Sequence, residues 1–159
     1  MKLFSKPQKT NSLALLSVCD GEVVSLDEVP DEAFASGMLG EGFAVMPENG
    51  TVLSPAEGVI ESISDSRHAY AISSKIGDIL VHIGIDSVKV PEAFEPIVNV
   101  GEKVAAGQPI ARVDLGLLRA SGISTVIPVL ITDKRQAGGI KIKYGKAIGG
   151  RDIAIKFTD

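Results

Sequence analysis

The segment Asp152-Ile153-Ala154-Ile155-Lys156-Phe157 carries the clearest structural signal in the chain. Its odd-numbered positions are apolar, which is the period of a strand that buries one face and exposes the other. Isoleucine and valine together number 33 against 12 leucines, and their β-branched side chains suit a pleated sheet better than a helix. The pattern therefore predicts a protein built mainly of strands.

Other short segments of the same character are separated by turn residues. We predict strands at residues 21–26, 43–46, 51–53, 58–64, 68–74, 78–85, 109–114, 127–132, 140–143 and 152–157. Only residues 31–39 and 115–120 suit a helical turn or two. Because no long helices alternate with the strands, doubly wound folds are excluded. We expect an all-β antiparallel sandwich or flattened barrel.

The composition fits one domain of ordinary size. The chain has 159 residues, 45% of them hydrophobic and 23% charged, with a single cysteine that cannot form an internal disulfide. No apolar run reaches the roughly 18 residues of a membrane span, and no secretion signal is present. We therefore expect a soluble, cytoplasmic protein. Residues 1–11 are predicted to be a flexible tail and residues 12–159 a single domain.

Charge is unevenly distributed along the chain. Residues 10–66 contain 11 carboxylates and no Lys, Arg or His, whereas residues 134–159 contain seven basic residues against two acids. Two explanations stay open at this point: the two regions neutralise each other in the folded state, or the acidic region is a docking face for a basic partner. An acidic face repels phosphate backbones, so nucleic acid is excluded as a partner.

The only residues that suggest chemistry are the two histidines. Nucleotide-binding loops, serine-nucleophile elbows and zinc-binding helix motifs are all missing from the sequence. His68 and His82 lie on consecutive predicted strands with Gly77 at the reversal, so a hairpin would bring them together. His82 shares its strand face with Leu80 and Gly84, and its imidazole is predicted to be partly shielded from water.

Two adjacent imidazoles suit either a metal or a phosphoryl group, while a lone histidine in an apolar strand is more often a hydrogen-bonded core residue. A tetrahedral zinc site needs three or four ligands, and no cysteine or third histidine supplies them nearby. Phosphoryl transfer needs less. It requires one neutral imidazole as nucleophile, one neighbouring donor and an apolar rim that excludes water.

Two stretches around these histidines resemble a known family. Arg67-His68-Ala69-Tyr70 and Leu80-Val81-His82-Ile83-Gly84-Ile85-Asp86-Ser87-Val88 are similar to the active-site segments of the glucose-family enzyme IIA proteins of the bacterial phosphoenolpyruvate-dependent sugar phosphotransferase system. Agreement extends through residues 21–31, 40–45, 54–58 and 101–114. The resemblance implies a largely antiparallel β-sandwich of the duplicated hybrid motif and a single IIA phosphotransfer domain.

The resemblance also implies a role for each residue of the site. His82 would accept a phosphoryl group on Nε2 from the histidine of the carrier protein HPr and pass it to a cysteine of a IIB domain. His68 would donate a hydrogen bond to that group, and Ser66 would orient His68. The carbonyl of Gly84 would accept from Nδ1 of His82 and so leave Nε2 nucleophilic.

The same resemblance implies a surface on which partner proteins dock. The residues that match the family's apolar docking rim are Phe34, Met38, Leu39, Leu80 and Val88. Asp31 and Asp86 match acids that pair with a basic residue of the carrier. We expect a monomer with no cofactor and no metal of its own. Regulatory targets can dock on the unphosphorylated face, where His68, His82 and a partner's carboxylate would complete a transient zinc site.

The sequence departs from the family at a few positions. Ser66 stands where threonine is expected, Leu80 where an aromatic residue is frequent, and the hairpin between the histidines is one residue shorter. Two alternatives remain. A zinc-dependent peptidase of a related β-fold would need His-x-His and His-x3-Asp motifs, which the sequence lacks, and a lipoyl-type carrier would be modified on Lys134. The sequence does not identify the sugar.

Overall fold

A computed structural model describes residues 14–135 and 138–158 as a set of short strands with a few helical turns. The strands are β1 Ala14–Leu16, β2 Gly21–Val24, β3 Glu41–Pro47, β4 Thr51–Leu53, β5 Gly58–Ile63, β6 Ala69–Ser73, β7 Gly77–His82, β8 Phe94–Pro96, β9 Lys103–Val104, β10 Pro109–Val113, β11 Ile127–Lys134, β12 Ile140–Ile142, β13 Gly145–Ala147 and β14 Ile153–Phe157. The α-helices are α1 Glu32–Ala35 and α2 Leu115–Ala120, and 3-10 helices cover Leu26–Glu28, Ser87–Lys89 and Pro91–Ala93.

These strands form one large sheet and two small ones. The large sheet has eight strands in the order β13-β2-β3-β11-β7-β6-β5-β9, and the small sheets have the orders β1-β14-β12 and β4-β10-β8. Every strand pairing within residues 14–135 and 138–158 is antiparallel. The structure therefore confirms the predicted all-β antiparallel fold.

The large sheet buries side chains on both of its faces. On β7, Ile79 and Val81 belong to the main core, which also contains residues of both small sheets. Leu80, between them, packs instead against a second cluster that includes Leu130 of β11. This alternation is the period of two expected of a strand. We call the side that carries Leu80 the outer face, and the strand period places His82 on it as well.

The second cluster covers part of the outer face with residues from the segment between β2 and β3. Leu26, Val29 and Phe34 of this segment pack against Val24 and Ala44 of the sheet. All five side chains are at most 8% exposed. The 3-10 helix Leu26–Glu28 and α1 are thereby fixed against the sheet beside the end of β7.

Several predicted element boundaries were wrong for identifiable local reasons. The strand predicted at 21–26 ends at Val24 because Ser25 caps the following 3-10 helix, accepting a hydrogen bond from the N–H of Asp27. The strand predicted at 78–85 ends at His82, since Gly84 adopts φ +81° and leaves the extended conformation. The helix predicted at 31–39 is reduced to α1, whereas the one at 115–120 is confirmed.

The predicted tail, residues 1–11, lies outside the described residues. Among the residues that are described, no helix has the length and apolar character needed to cross a membrane.

Tyr70 of β6 gives a stability prediction. Its side chain is fully buried, burial raises its pKa to about 12, and its hydroxyl has no hydrogen-bond partner within the described residues. We expect Tyr70→Phe to raise the free energy of unfolding by about 1 kcal/mol, because the ring is retained and a desolvated hydroxyl is removed. Urea denaturation measures this change.

The matched control is Tyr144→Phe. The Tyr144 side chain is 54% exposed, so its hydroxyl stays in water and we expect no change in the free energy of unfolding. A Tyr70→Phe protein that is less stable than the wild type would contradict the prediction.

Candidate functional site

The two histidines meet at one end of a β-hairpin. Strands β6 and β7 pair with Ala69 opposite His82, and the turn at their other end is closed by a 2.8 Å hydrogen bond from Ser74 Oγ to the carbonyl oxygen of Gly77. His68 immediately precedes β6, and its ring centroid lies 4.9 Å from that of His82, with the two rings nearly perpendicular. The predicted hairpin and the proximity of the histidines are confirmed.

The Nδ1 atom of His82 is held by the backbone. It lies 2.8 Å from the carbonyl oxygen of Gly84, and because a carbonyl can only accept, Nδ1 must carry the proton. Gly84 has φ +81°, and a Cβ atom there would lie 2.9 Å from the Cβ of Ser87, so this tight turn requires glycine. In the neutral ring, Nε2 then bears the lone pair and is the nucleophilic nitrogen.

Aromatic rings form part of the wall around both imidazoles. The Phe34 ring centroid lies 5.0 Å from that of His82, and the Phe94 centroid lies 6.1 Å from that of His68. A pocket of about 150 Å³ at the two histidines is lined by Asp31, Phe34, His68, His82, Ile85, Asp86, Ser87 and Val88. Such apolar walls restrict access of water to a reactive group.

Burial favours the neutral form of both imidazoles. It lowers the pKa of His82, an effect opposed by the hydrogen bond to Gly84 and by the charge of Asp31. It also lowers the pKa of His68, which is lowered further by the charge of a protonated His82. A neutral His82 is what a nucleophile requires, since a protonated imidazole has no free lone pair.

These shifts predict the pH dependence of stability. The free energy of unfolding should be highest above pH 6.5, the ordinary histidine pKa, because the unfolded chain binds protons more readily below that value. It should decrease as the pH falls from 6.5 through the lowered pKa values of the folded state.

An NMR titration of the imidazole Cε1–H resonances measures both pKa values in the folded protein. We expect both midpoints below 6.5, the ordinary value. A midpoint above that value for His82 would contradict the role of burial, because it would mean that Asp31 and Gly84 stabilise the cation more than desolvation destabilises it.

The hydroxyl that contacts His68 is not the expected one. The resemblance implies that Ser66 orients His68, but Nδ1 of His68 lies 3.3 Å from Oγ of Ser64, and no hydrogen bond joins Ser66 to His68 among the described residues. The reason is a tight turn closed by a 2.8 Å bond from the N–H of Arg67 to the carbonyl oxygen of Ser64. Ser66 lies within this turn, whereas Ser64 lies at its start, facing His68.

The residues of the predicted docking rim differ in exposure. Met38, Leu39 and Val88 are 76%, 41% and 51% exposed. Leu80 is half-buried, and Phe34 is only 6% exposed. Phe34 is therefore a wall of the pocket, and Met38, Leu39 and Val88 are the rim residues with exposed apolar surface.

The two acids of the predicted docking face lie at the mouth of the pocket. Asp31 is the N-cap of α1, and its Oδ1 accepts hydrogen bonds from the N–H groups of Ala33 at 2.9 Å and Phe34 at 3.4 Å. The carboxylate thus fixes the helix that carries Phe34. Asp86 is exposed at φ +60°. Neither acid forms an ion pair within the part of the chain that the structure describes.

Part of the acidic region is neutralised by the basic region, as the first explanation of the charge pattern requires. Lys146 lies 2.8 Å from Glu48, and Lys134 lies 4.0 Å from Glu41. Asp31 and Asp86, which line the pocket of the histidines, form no such ion pair among the described residues. Neutralisation is therefore partial, and the docking face stays a prediction.

The histidine pair does not form a complete metal site. Across residues 14–135 and 138–158, no group of three or more His, Cys, Asp and Glu side chains is placed to hold a metal ion. His68 and His82 would supply two ligands, and a transient zinc site would need the rest from a partner. That site stays a prediction.

Comparisons with known proteins agree over nearly the whole chain. Residues 13–137 match the family described as phosphoenolpyruvate-dependent sugar phosphotransferase system, EIIA 1. The glucose-specific EIIA components of Bacillus cereus and Bacillus anthracis are each 39% identical to the chain. The first match covers 92% of this chain and 90% of the relative, and the second covers 99% and 97%.

A solved structure shows the same fold. The glucose permease IIA of Mycoplasma capricolum superposes with a TM-score of 0.81 at 33% identity, over 98% of this chain and 99% of that one. With the family match, the two relatives and this structure in agreement, the chain belongs to the EIIA 1 family of the phosphoenolpyruvate-dependent sugar phosphotransferase system.

Proposed function

We propose that this phosphocarrier of sugar uptake bears its phosphoryl group on Nε2 of His82. It receives the group from phospho-HPr and donates it to a cysteine of a IIB domain. The observation that carries the proposal is the 2.8 Å contact between Nδ1 of His82 and the carbonyl oxygen of Gly84, since it leaves the lone pair on Nε2. The two Bacillus relatives are named glucose-specific, and glucose is the sugar we propose.

The transfer conserves atoms and charge without water. The lone pair on Nε2 of His82 attacks the phosphorus, and the bond between phosphorus and the donor histidine nitrogen breaks, with its electron pair returning to that nitrogen. In the second step a thiolate of the IIB domain attacks the same phosphorus, and the bond to His82 breaks. His68, whose ring lies 4.9 Å away, donates a hydrogen bond to the oxygens of the phosphoryl group on His82 and so assists the second step.

The surface around the pocket suits a partner that is both apolar and basic. Met38, Leu39 and Val88 supply exposed apolar area, and the carboxylates of Asp31 and Asp86 line the pocket beside them. Charges of one sign at the rim attract the partner, and the apolar contacts hold it. HPr, the IIB domain and regulatory targets would use this same surface in turn.

The alternatives have less support. A lipoyl-type carrier holds its lysine at the tip of a hairpin, but Lys134 lies within β11 opposite Gly77, and its Nζ donates to the carbonyl oxygen of Gly138 at 2.9 Å. A zinc-dependent peptidase lacks its ligands in the described residues. We further propose that residues 12–159 act as one phosphotransfer domain without a cofactor, as a monomer in the cytoplasm.

The test is phosphorylation by purified general components. The chain is incubated with phosphoenolpyruvate, enzyme I and HPr, and its intact mass and peptides are then measured under conditions that preserve phosphohistidine. We expect one phosphoryl group on the peptide that contains His82, and its loss when a IIB domain and sugar are added. No labelling, or labelling confined to another residue, would refute the proposal.

A further inference from the structure

We infer that Ser64 is a positioning residue that sets the tautomer of His68 and so directs the ring's single N–H toward the phosphoryl group. The inference rests on the proposed function, because the phosphoryl group on His82 is the acceptor that this N–H would bind. It concerns a serine that lies two residues before the position implied by the resemblance. The inference is supported by the hydrogen bonds of Ser64 Oγ to His68 and Ala69, at the start of β6.

The hydroxyl of Ser64 has three neighbours that use its full hydrogen-bonding capacity. Its Oγ accepts from the backbone N–H groups of His68 at 3.2 Å and Ala69 at 3.1 Å, and it lies 3.3 Å from Nδ1 of His68. A hydroxyl has two acceptor lone pairs and one proton to donate. Both lone pairs face N–H donors, so the contact with Nδ1 is satisfied when the hydroxyl donates to it.

The consequence is a defined tautomer for His68. A nitrogen that accepts a hydrogen bond carries no proton, so the proton of the neutral ring lies on Nε2. His82 has the opposite arrangement, since its Nδ1 donates to Gly84 at 2.8 Å. The two rings are therefore complementary: one offers a lone pair to the phosphorus, and the other offers an N–H to its oxygens.

Ser64 also opposes protonation of His68. A proton on Nδ1 would point at the hydroxyl, which would have to turn its own proton away and give up one of its backbone donors. This effect acts in the same direction as burial, which lowers the pKa of His68. A neutral His68 remains a hydrogen-bond donor beside His82 without the repulsion between two cations.

The turn is held by other contacts as well, so its loss is not expected when the hydroxyl is removed. The carbonyl oxygen of His68 accepts from the N–H of Ile83 at 2.7 Å, and the N–H of Arg67 donates to the Ser64 carbonyl at 2.8 Å. The Arg67 guanidinium donates to the carbonyl oxygen of Pro91 at 3.1 Å. Ser64→Ala leaves all three contacts possible.

The test compares Ser64→Ala with the matched control Ser66→Ala, in the same turn. Nitrogen-15 NMR of the unphosphorylated protein distinguishes a protonated from an unprotonated imidazole nitrogen. We expect wild-type His68 to be unprotonated at Nδ1, Ser64→Ala to show a mixture of tautomers, and Ser66→Ala to match the wild type. Ser64→Thr, which keeps the hydroxyl, should restore the wild-type pattern.

The second measurement is the rate of each transfer step. Ser64→Ala should slow donation to a IIB domain about tenfold and change acceptance from phospho-HPr less than about threefold, because only an orienting contact is lost. Wild-type tautomers and rates in Ser64→Ala, or a larger effect in Ser66→Ala, would overturn the inference. If the wild-type protein is not phosphorylated at all, the proposed function fails, while the NMR comparison still decides the role of Ser64.

Discussion

We expect His82→Gln to abolish phosphorylation by phospho-HPr, with an initial rate at least about a thousandfold below that of the wild type. Glutamine fills much of the volume of the half-buried imidazole, but its amide nitrogen has no lone pair available for attack on phosphorus. The Oε1 atom of the amide is a weak nucleophile under the same conditions. Intact mass after incubation with phosphoenolpyruvate, enzyme I and HPr measures the loss.

The control for His82→Gln is a test that the variant is folded. His82 is the last residue of β7, and its ring packs mainly against Phe34 and His68, so the main core is untouched by the substitution. The far-ultraviolet circular dichroism spectrum should therefore equal that of the wild type. Labelling of a folded His82→Gln protein at a wild-type rate would show that another residue accepts the phosphoryl group.

His68→Gln should separate the two transfer steps. We expect it to accept a phosphoryl group from phospho-HPr within about tenfold of the wild-type rate, since the nucleophile is intact. Donation to the IIB cysteine should fall about a hundredfold, because a donor aimed at the transferring group is lost or misplaced. A single-turnover assay that starts from the phosphorylated variant measures the second rate, and the phosphorylated form should accumulate.

Ser66→Ala is the matched control for His68→Gln. Ser66 lies in the turn before His68 and makes no hydrogen bond to it among the described residues, so both of its transfer rates should equal those of the wild type. Unchanged donation in His68→Gln would contradict the proposed role of the second histidine. Equal loss in both steps would show that His68 acts on acceptance as much as on donation.

The fold was predictable where strands are long enough to show a period. The alternation in β14 and the apolar run of β7 both indicated strands, and both are present. Strands β1, β8, β9 and β13 have only two or three residues each and were not predicted. The equally short β4 and β12 were found because β4 follows the Asn49-Gly50 turn signal and β12 shows the alternation Ile140-Lys141-Ile142. The pairing of β1, β8, β9 and β13 depends on the neighbouring strand rather than on their own sequence.

The site was predictable to the extent that it depends on spacing along the hairpin. Both histidines and the glycine that holds His82 follow from sequence and resemblance, and the structure brings them together. Ser64 could not be found in this way, since its contact depends on a turn in which Arg67 adopts φ +65°. Residues other than glycine rarely adopt this conformation, and nothing in the local sequence signals it.

The separation of the two apolar clusters on opposite faces of the large sheet has an evolutionary consequence. Stability depends mainly on the larger cluster between the sheets, while Phe34, whose ring lies 5.0 Å from that of His82, and Leu80 belong to the smaller cluster outside. If partners dock as proposed, substitutions on the outer side change which proteins are bound while leaving the sandwich intact. Selection for new partners and selection for a stable fold therefore act on different side chains of the same strands.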